Sequence, residues 1–303
     1  MKGYLDQSPI EVMKKHGKSF FFASQVFTEE QLQKVAELYR LCRYIDDLAD
    51  EHEPNFALEK LGELKEQITK NELKGINATI VIPVLSSGVE RSALIELIDG
   101  ALFDLSEKEI LSLQDLLIYC YQVAGVVGLM MCPILNINDK KARRYSIDLG
   151  IGMQLTNISR DILEDALNDR CYIPSSILKE NGIEKQYLKR QDMTNKELKA
   201  VVKFLLNIAD KYYESSRRGF SFIPLRARFA ILFASEIYRA IGKKIAKNNY
   251  DVLQGRVYLT KVEKVLVSMK SLRFAFSASF WTDYPHKSNL HQLINHMPGT
   301  NRG

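Results

Sequence analysis

Residues 150–172 read GIGMQLTNISRDILEDALNDRCY. As one helix, the stretch places Gln154, Asn157, Asp161 and Asp165 at steps of three, four and four, which brings the four side chains to one face. Two carboxylates and two amides on a shared face make a hard-oxygen surface suited to Mg²⁺. Acidic residues at this spacing are commonly just a solvated face. Here, however, they interrupt an otherwise apolar helix (Leu155, Ile158, Ile162, Leu163), and Arg160 and Glu164 flank the pair without neutralising it one for one.

A second such face lies upstream. Residues 38–53 read LYRLCRYIDDLADEHE, with Asp46 and Asp50 again four apart, Arg43 one turn before Asp46, and Tyr39 one turn before Arg43. Two helices that each carry D-x-x-x-D are a more specific signal than either alone. Facing each other across a cavity, they would hold a cluster of Mg²⁺ ions able to bridge a diphosphate, a leaving group that needs its charge neutralised as it departs.

The rest of the chain points to an all-α fold. Strand patterns are nearly absent and 3.6-residue periods recur. Ser8-Pro9 caps a first helix, and Thr28 with Glu30 and Gln31 makes a capping box for the helix of Asp46. Leu113 to Leu135 is apolar all round and reads as the central buried helix, with Ala124, Gly125 and Gly128 allowing a close neighbour. The run Ile80 to Leu85 reads as a helix followed by a turn. In the helix Ala93 to Leu105, Asp99 and Asp104 are five apart and on different faces, so they make no third metal motif. Residues 175–194 read as a charged loop, followed by helices at Lys196 to Arg218 and Leu225 to Lys247. The chain has 303 residues, 46% hydrophobic and 26% charged, with no Pro/Gly/Ser-rich linker. One domain over residues 1–284 with a disordered tail at 285–303 is the expected organisation.

Composition also excludes function classes. The net charge is only +5, and no nucleic-acid motif accompanies it, so no nucleic-acid partner is expected. Cys42, Cys120, Cys132 and Cys171 are scattered, which fits buried thiols in a reducing compartment and neither zinc nor disulfides. The N-terminus lacks a signal-peptide core, and Val123 to Leu135 is too short and too interrupted to span a bilayer. A cytoplasmic protein, with room for association at the cytosolic face of a membrane, is the expectation.

The motifs HGKSF (residues 16–20), CRYIDDLAD (42–50), YCYQVAGVVG (119–128), QLTNISRDILEDA (154–166) and RCYIP (170–174) resemble those of the squalene and phytoene synthases, the head-to-head prenyl diphosphate synthases, in order and spacing. The versions in bacterial phytoene synthases read almost the same. The resemblance covers roughly residues 10–260. It implies an isoprenoid-synthase-type helical bundle around a deep apolar channel, walled by Val123 to Cys132 and by Phe22. It also implies Mg²⁺, or Mn²⁺ on the same oxygens, held by Asp46, Asp50, Asn157, Asp161 and Asp165.

The same likeness assigns Lys18, Ser19, Gln154, Arg160, Tyr172 and Arg256 to substrate contact, and Arg43 to help withdraw diphosphate. Tyr121 becomes a candidate to stabilise a carbocation, although an aromatic at helical spacing is more often core. The implied reaction is condensation of two geranylgeranyl diphosphates, through prephytoene diphosphate, to phytoene without NADPH. The alternatives are farnesyl diphosphate as substrate, giving dehydrosqualene or squalene, and a non-catalytic helical member, which intact aspartate motifs disfavour.

Overall fold

The computed structural model describes residues 7–106, 108–189 and 196–301, and these form helices and turns with no strand. Helix α1 (Pro9–His16) starts at a Ser8–Glu11 capping box with proline in its first turn. Gly17 separates it from α2 (Lys18–Ser24). Thr28 and Gln31 cap α3 (Glu29–Asp50) as the sequence predicts, leaving two of the four orphan amides of the first turn satisfied by side chains. Then come α4 (Pro54–Lys70), α5 (Gly75–Ser86) and α6 (Arg91–Asp104).

The expected central helix is interrupted. It runs as α7 (Leu113–Cys120), a π-helical turn (Tyr121–Gly125) and α8 (Val126–Ile134). The π turn inserts extra backbone, so residues on its two sides face different neighbours from those a regular wheel gives. Among the described residues, Leu113–Ile134 is the one helix long and apolar enough to cross a membrane, and it lies within the main hydrophobic core.

Helix α9 (Ala142–Arg160) ends at Asp161 and is followed by the short α10 (Ile162–Leu167). The predicted charged loop contains α11 (Ser175–Glu180) and a 3₁₀ turn at Lys185–Lys189; its residues 190–194 lie outside the described ones. The chain closes with α12 (Lys196–Arg217), α13 (Leu225–Lys247), α14 (Lys261–Ser271) and α15 (Ala278–Trp281).

Helix α9 passes through the middle, packed on α8, the π turn, α12 and α13. Two glycines permit its closest crossing. A Cβ on Gly128 would meet the Ser146 carbonyl oxygen at 2.1 Å, and one on Gly150 would meet that of Ala124 at 2.2 Å. Each helix thus offers a bare backbone to the other's carbonyl.

The final segment departs from expectation. Residues 285–301 are not a disordered tail: His291, Ile294, Met297 and Thr300 are buried, and Ser288–Ile294 forms a 3₁₀ helix. Three tyrosine hydroxyls of the bundle donate to backbone carbonyls there or just before it: Tyr145 to Tyr284 (2.5 Å), Tyr212 to Leu290 (2.9 Å) and Tyr121 to Pro298 (2.7 Å). Asp148, fully buried on α9, bonds His286 Nε2 at 2.8 Å and His291 Nε2 at 2.7 Å. A buried carboxylate needs such partners, and the segment supplies both.

Candidate active site

The last turns of α3 carry three aspartates with different surroundings. Asp47 is buried and ion-paired with Arg43, which also reaches Glu51 at 3.5 Å. Asp50 bonds Arg170 at 2.7 Å. Asp46 retains accessible surface, but that surface faces an internal cavity. Loss of bulk water, and then the charge of Asp50, push its carboxyl up to about 7. Arg43 therefore turns to Asp47, yet stays near enough to favour ionised Asp46.

The opposite face is built at the end of α9. Gln154 and Asn157 line the cavity, with the Asn157 amide donating to Gln154 Oε1 at 3.3 Å. Asp161 lies beyond the last regular turn, at φ −101° and ψ 13°, so the single helix expected over residues 150–172 is broken there. The sequence has no proline or glycine at that point. Neighbours one apart on a regular helix do not face each other, and the break lets the Arg160 guanidinium grip Asp161 with bonds of 2.8 and 2.5 Å. Asp165 still donates its amide to the Asp161 carbonyl at 2.8 Å, so the two aspartates keep their four-residue relation. Arg256 arrives from the loop before α14, 3.1 Å from Asp161 and 3.0 Å from Glu164.

Both faces meet around a group the sequence reading set aside. Asp104, at the end of α6, accepts bonds from Tyr172 (2.9 Å) and Tyr119 (3.1 Å), whose rings stack at 4.8 Å. Desolvation raises its carboxyl to about 6 in spite of the Tyr172 bond and nearby Arg170, and Asp50 adds to the rise. Asp165 is pushed up to about 7 by desolvation and then by Asp161 and Glu164, with Asp104 adding and Arg170 opposing. Arg170 therefore touches Asp50 and acts on Asp104 and Asp165 together. No spacing rule within one helix finds Asp104 or Arg170, because each comes singly from its own element.

Of these carboxylates Asp46 lines the adjoining cavity, whose walls are otherwise mostly apolar. The cavity, about 350 Å³ and so within the range of small-molecule sites, is lined among others by Phe20, Ala23, Val127, Met131, Ala234 and Tyr238. Phe22 is not among its lining residues and packs on the main core instead. Phe20, Ala23 and Ser24 follow one face of α2, which turns Phe22 away. Tyr121 is also elsewhere: its ring is fully buried and its hydroxyl is used by Pro298. Val123, Ala124 and Val127 reach the cavity instead, since the π turn changes the register after Tyr121. The cavity tyrosines are Tyr39, Tyr145 and Tyr238. Burial, opposed by Arg43, holds the Tyr39 hydroxyl up at about 12. A Cβ on Gly17 would lie 2.8 Å from the Tyr39 ring, so the junction just before Lys18 and Ser19 packs closely on Tyr39.

The residues suit divalent cations. Asp46, Asp104 and Asp165 are carboxylates raised by desolvation and mutual repulsion, and the buried Asn157 Oδ1 has no hydrogen-bond partner. All are hard oxygen donors, the set that Mg²⁺ prefers.

Residues 13–263 match the family model described as squalene/phytoene synthase. The chain belongs to that family. Its relatives include a phytoene synthase of Pseudescherichia vulneris, 32% identical over 86% of this chain and 88% of the relative. Another is a 15-cis-phytoene synthase of Pantoea ananas, 30% identical over 93% and 96%. Among solved structures, a ligand-bound dehydrosqualene synthase superposes with a TM-score of 0.80 at 26% identity, over 91% of this chain and 98% of that one. The squalene synthase HpnC of Alicyclobacillus acidocaldarius has the same fold, with a TM-score of 0.70 at 21% identity over 80% and 95%. Squalene/phytoene synthases act on prenyl diphosphates and as a class use divalent metal, which accords with a carboxylate cluster beside an apolar cavity.

Proposed function

We propose that the chain is a phytoene synthase that condenses two geranylgeranyl diphosphates head to head, through prephytoene diphosphate, with Mg²⁺. The observation that supports this reading is that Asp46 of one D-x-x-x-D helix and Gln154 and Asn157 of the other line one largely apolar cavity, while Arg170 and Asp104 couple Asp50 to Asp165 between them. Asp46, Asp50, Asp161 and Asp165, with the unpartnered Asn157 Oδ1 and Asp104 beside them, are the groups that would hold the metal. Bound there, Mg²⁺ would neutralise the charge of a departing diphosphate.

The chain's own residues do the rest. Lys18, Arg160 and Arg256 supply cations around the mouth, and Ser19 a hydroxyl donor, for diphosphate oxygens. The apolar walls take the prenyl chains out of water, worth about 0.8 kcal/mol per buried methylene, and keep solvent from an allylic cation. The double bond of the second substrate attacks that cation, and a proton leaves carbon as the cyclopropane closes. Released diphosphate is the preferred acceptor of that proton. The Tyr121 hydroxyl, which donates to the Pro298 carbonyl and is not among the cavity-lining residues, is the rival acceptor. A second ionisation and a second proton loss give the central double bond.

The likeness to a dehydrosqualene synthase favours one second reading, the same chemistry on farnesyl diphosphate. Purified protein and Mg²⁺, given C15 or C20 diphosphate with and without NADPH, separate the readings by the mass of the hydrocarbon formed. A C40 product without NADPH is expected. A C30 product only, or hydrocarbon only with NADPH, would overturn the assignment.

A further inference from the structure

Helix α14 is built inside out. A helix on the surface of a bundle normally turns its apolar stripe inward. In KVEKVLVSMKS the buried positions are Ser268 and Ser271, while Val262, Val265, Leu266 and Met269 are exposed, Val262 by 68% and Met269 by 64%. At about 100° per residue these four fall within one stripe opposite the two serines.

Exposed apolar side chains continue past the helix. Leu272 is exposed, Phe276 is 92% exposed and Trp281 56%, and Tyr258 precedes the helix with 70% exposure. Phe276 and Trp281 are held outward by what lies between them. Phe280 is fully buried against Phe220, Phe229 and Phe274, and the Trp281 indole donates to the Ala275 carbonyl at 2.6 Å. Large apolar side chains exposed in such number on one segment mark an interaction site.

We propose that the outward face of α14, extended by Phe276 and Trp281, docks on an anionic lipid bilayer. Charge selects this occupant. Between Tyr258 and Trp281 the basic residues are Lys261, Lys264, Lys270 and Arg273, and the sole acid is Glu263, which is tied to Lys244 at 2.7 Å. Lys261 and Lys270 fall on either side of the apolar stripe, about 80–100° from its centre, and Arg273 is exposed in the 3₁₀ turn that follows. Apolar side chains between lysines, with tryptophan and tyrosine at the edges, match the boundary between acyl chains and anionic headgroups. A second copy of the chain fits less well, because a two-fold contact would set the same cations against each other.

The surface also lies close to the site. Helix α14 packs on α13, which lines the cavity through Ala234 and Tyr238, and it starts five residues after Arg256, the partner of Asp161. An apolar molecule leaving the cavity would have membrane at hand.

Trp281 is the only tryptophan, so its emission reports the docking directly. Full-length protein is mixed with vesicles of phosphatidylcholine plus phosphatidylglycerol, or of phosphatidylcholine alone, and followed by sedimentation and fluorescence. The expected result is co-sedimentation and a blue shift of Trp281 with the anionic vesicles only, both reversed by salt. The double variant Val265→Glu with Met269→Glu should bind at least about tenfold more weakly with an unchanged thermal melt. Lys261→Gln with Lys270→Gln should lose the preference for anionic lipid. No vesicle binding by the unmodified protein would overturn the proposal. So would equal binding to both vesicle types, or a dimer in solution that the Val265→Glu, Met269→Glu variant dissolves.

Discussion

The Tyr121 hydroxyl donates to the Pro298 carbonyl at 2.7 Å, joining the π turn of the central helix to a segment 177 residues downstream. We propose that the role of the hydroxyl is structural. Tyr121→Phe should leave turnover near normal and lower stability by about 1 kcal/mol, the worth of one such bond. Parallel assays and denaturant melts check this, and a large loss of turnover with an unchanged melt would return Tyr121 to the chemistry.

Asp161→Asn should reduce turnover by about two orders of magnitude or more while circular dichroism stays unchanged. Asp104→Asn should weaken the apparent Mg²⁺ affinity by about 10- to 100-fold, because Asp104 stands between the two aspartate faces. Mg²⁺ titrations of activity for both variants supply the measurement. An Asp104 variant with normal Mg²⁺ dependence would remove that residue from the site.

Asp148 gives a pH dependence. Burial alone would raise its carboxyl, but hydrogen bonds from His286 and His291 hold it below the ordinary value. A lowered carboxylate contributes stability that is fully present above about pH 4, its unfolded value, and is lost as pH falls through the lower folded value. Asp148→Asn should therefore cost about 3–5 kcal/mol near neutrality, as for a broken buried pair. The gap to the unmodified protein should narrow below about pH 4. Denaturant melts of both proteins across that range test the sign, and a gap that widens in acid would refute it.

Gly128→Ala and Gly150→Ala should each cost about 1–3 kcal/mol or more, since a methyl group at either site runs into a backbone carbonyl that cannot swing aside. Gly62→Ala, with nothing within 4 Å, serves as the control and should gain up to about 1 kcal/mol of helix propensity. Thermal melts of the three decide it.

Much of this was legible in the sequence because it is local. The Thr28–Gln31 cap, the 3.6-residue stripes and the two D-x-x-x-D spacings each lie within one helix. What escaped is what several elements assemble. Asp104 offers one carboxylate from α6 and is recognised only by Tyr119, Tyr172 and Arg170 gathered round it. Phe22 is expected in the channel wall but packs on the core, because sequence proximity to lining residues does not say which way a helix faces, and the π turn changes the register at Tyr121 besides. The final segment has no amphipathic period at all. Its order comes from carbonyls that accept bundle hydroxyls and from two histidines that reach a carboxylate 138 and 143 residues away.

That last distance bears on how the protein is made. Chains emerge from the ribosome N-terminus first, and domains tend to fold in that order. Asp148 and the helices around it are synthesised long before His286 and His291 exist to receive its charge. Until those residues arrive, α9 must either keep its carboxylate wet or hold it protonated. A chain ending before residue 286 would leave Asp148 without either histidine in the middle of the bundle, and should be cut by protease faster than the full chain.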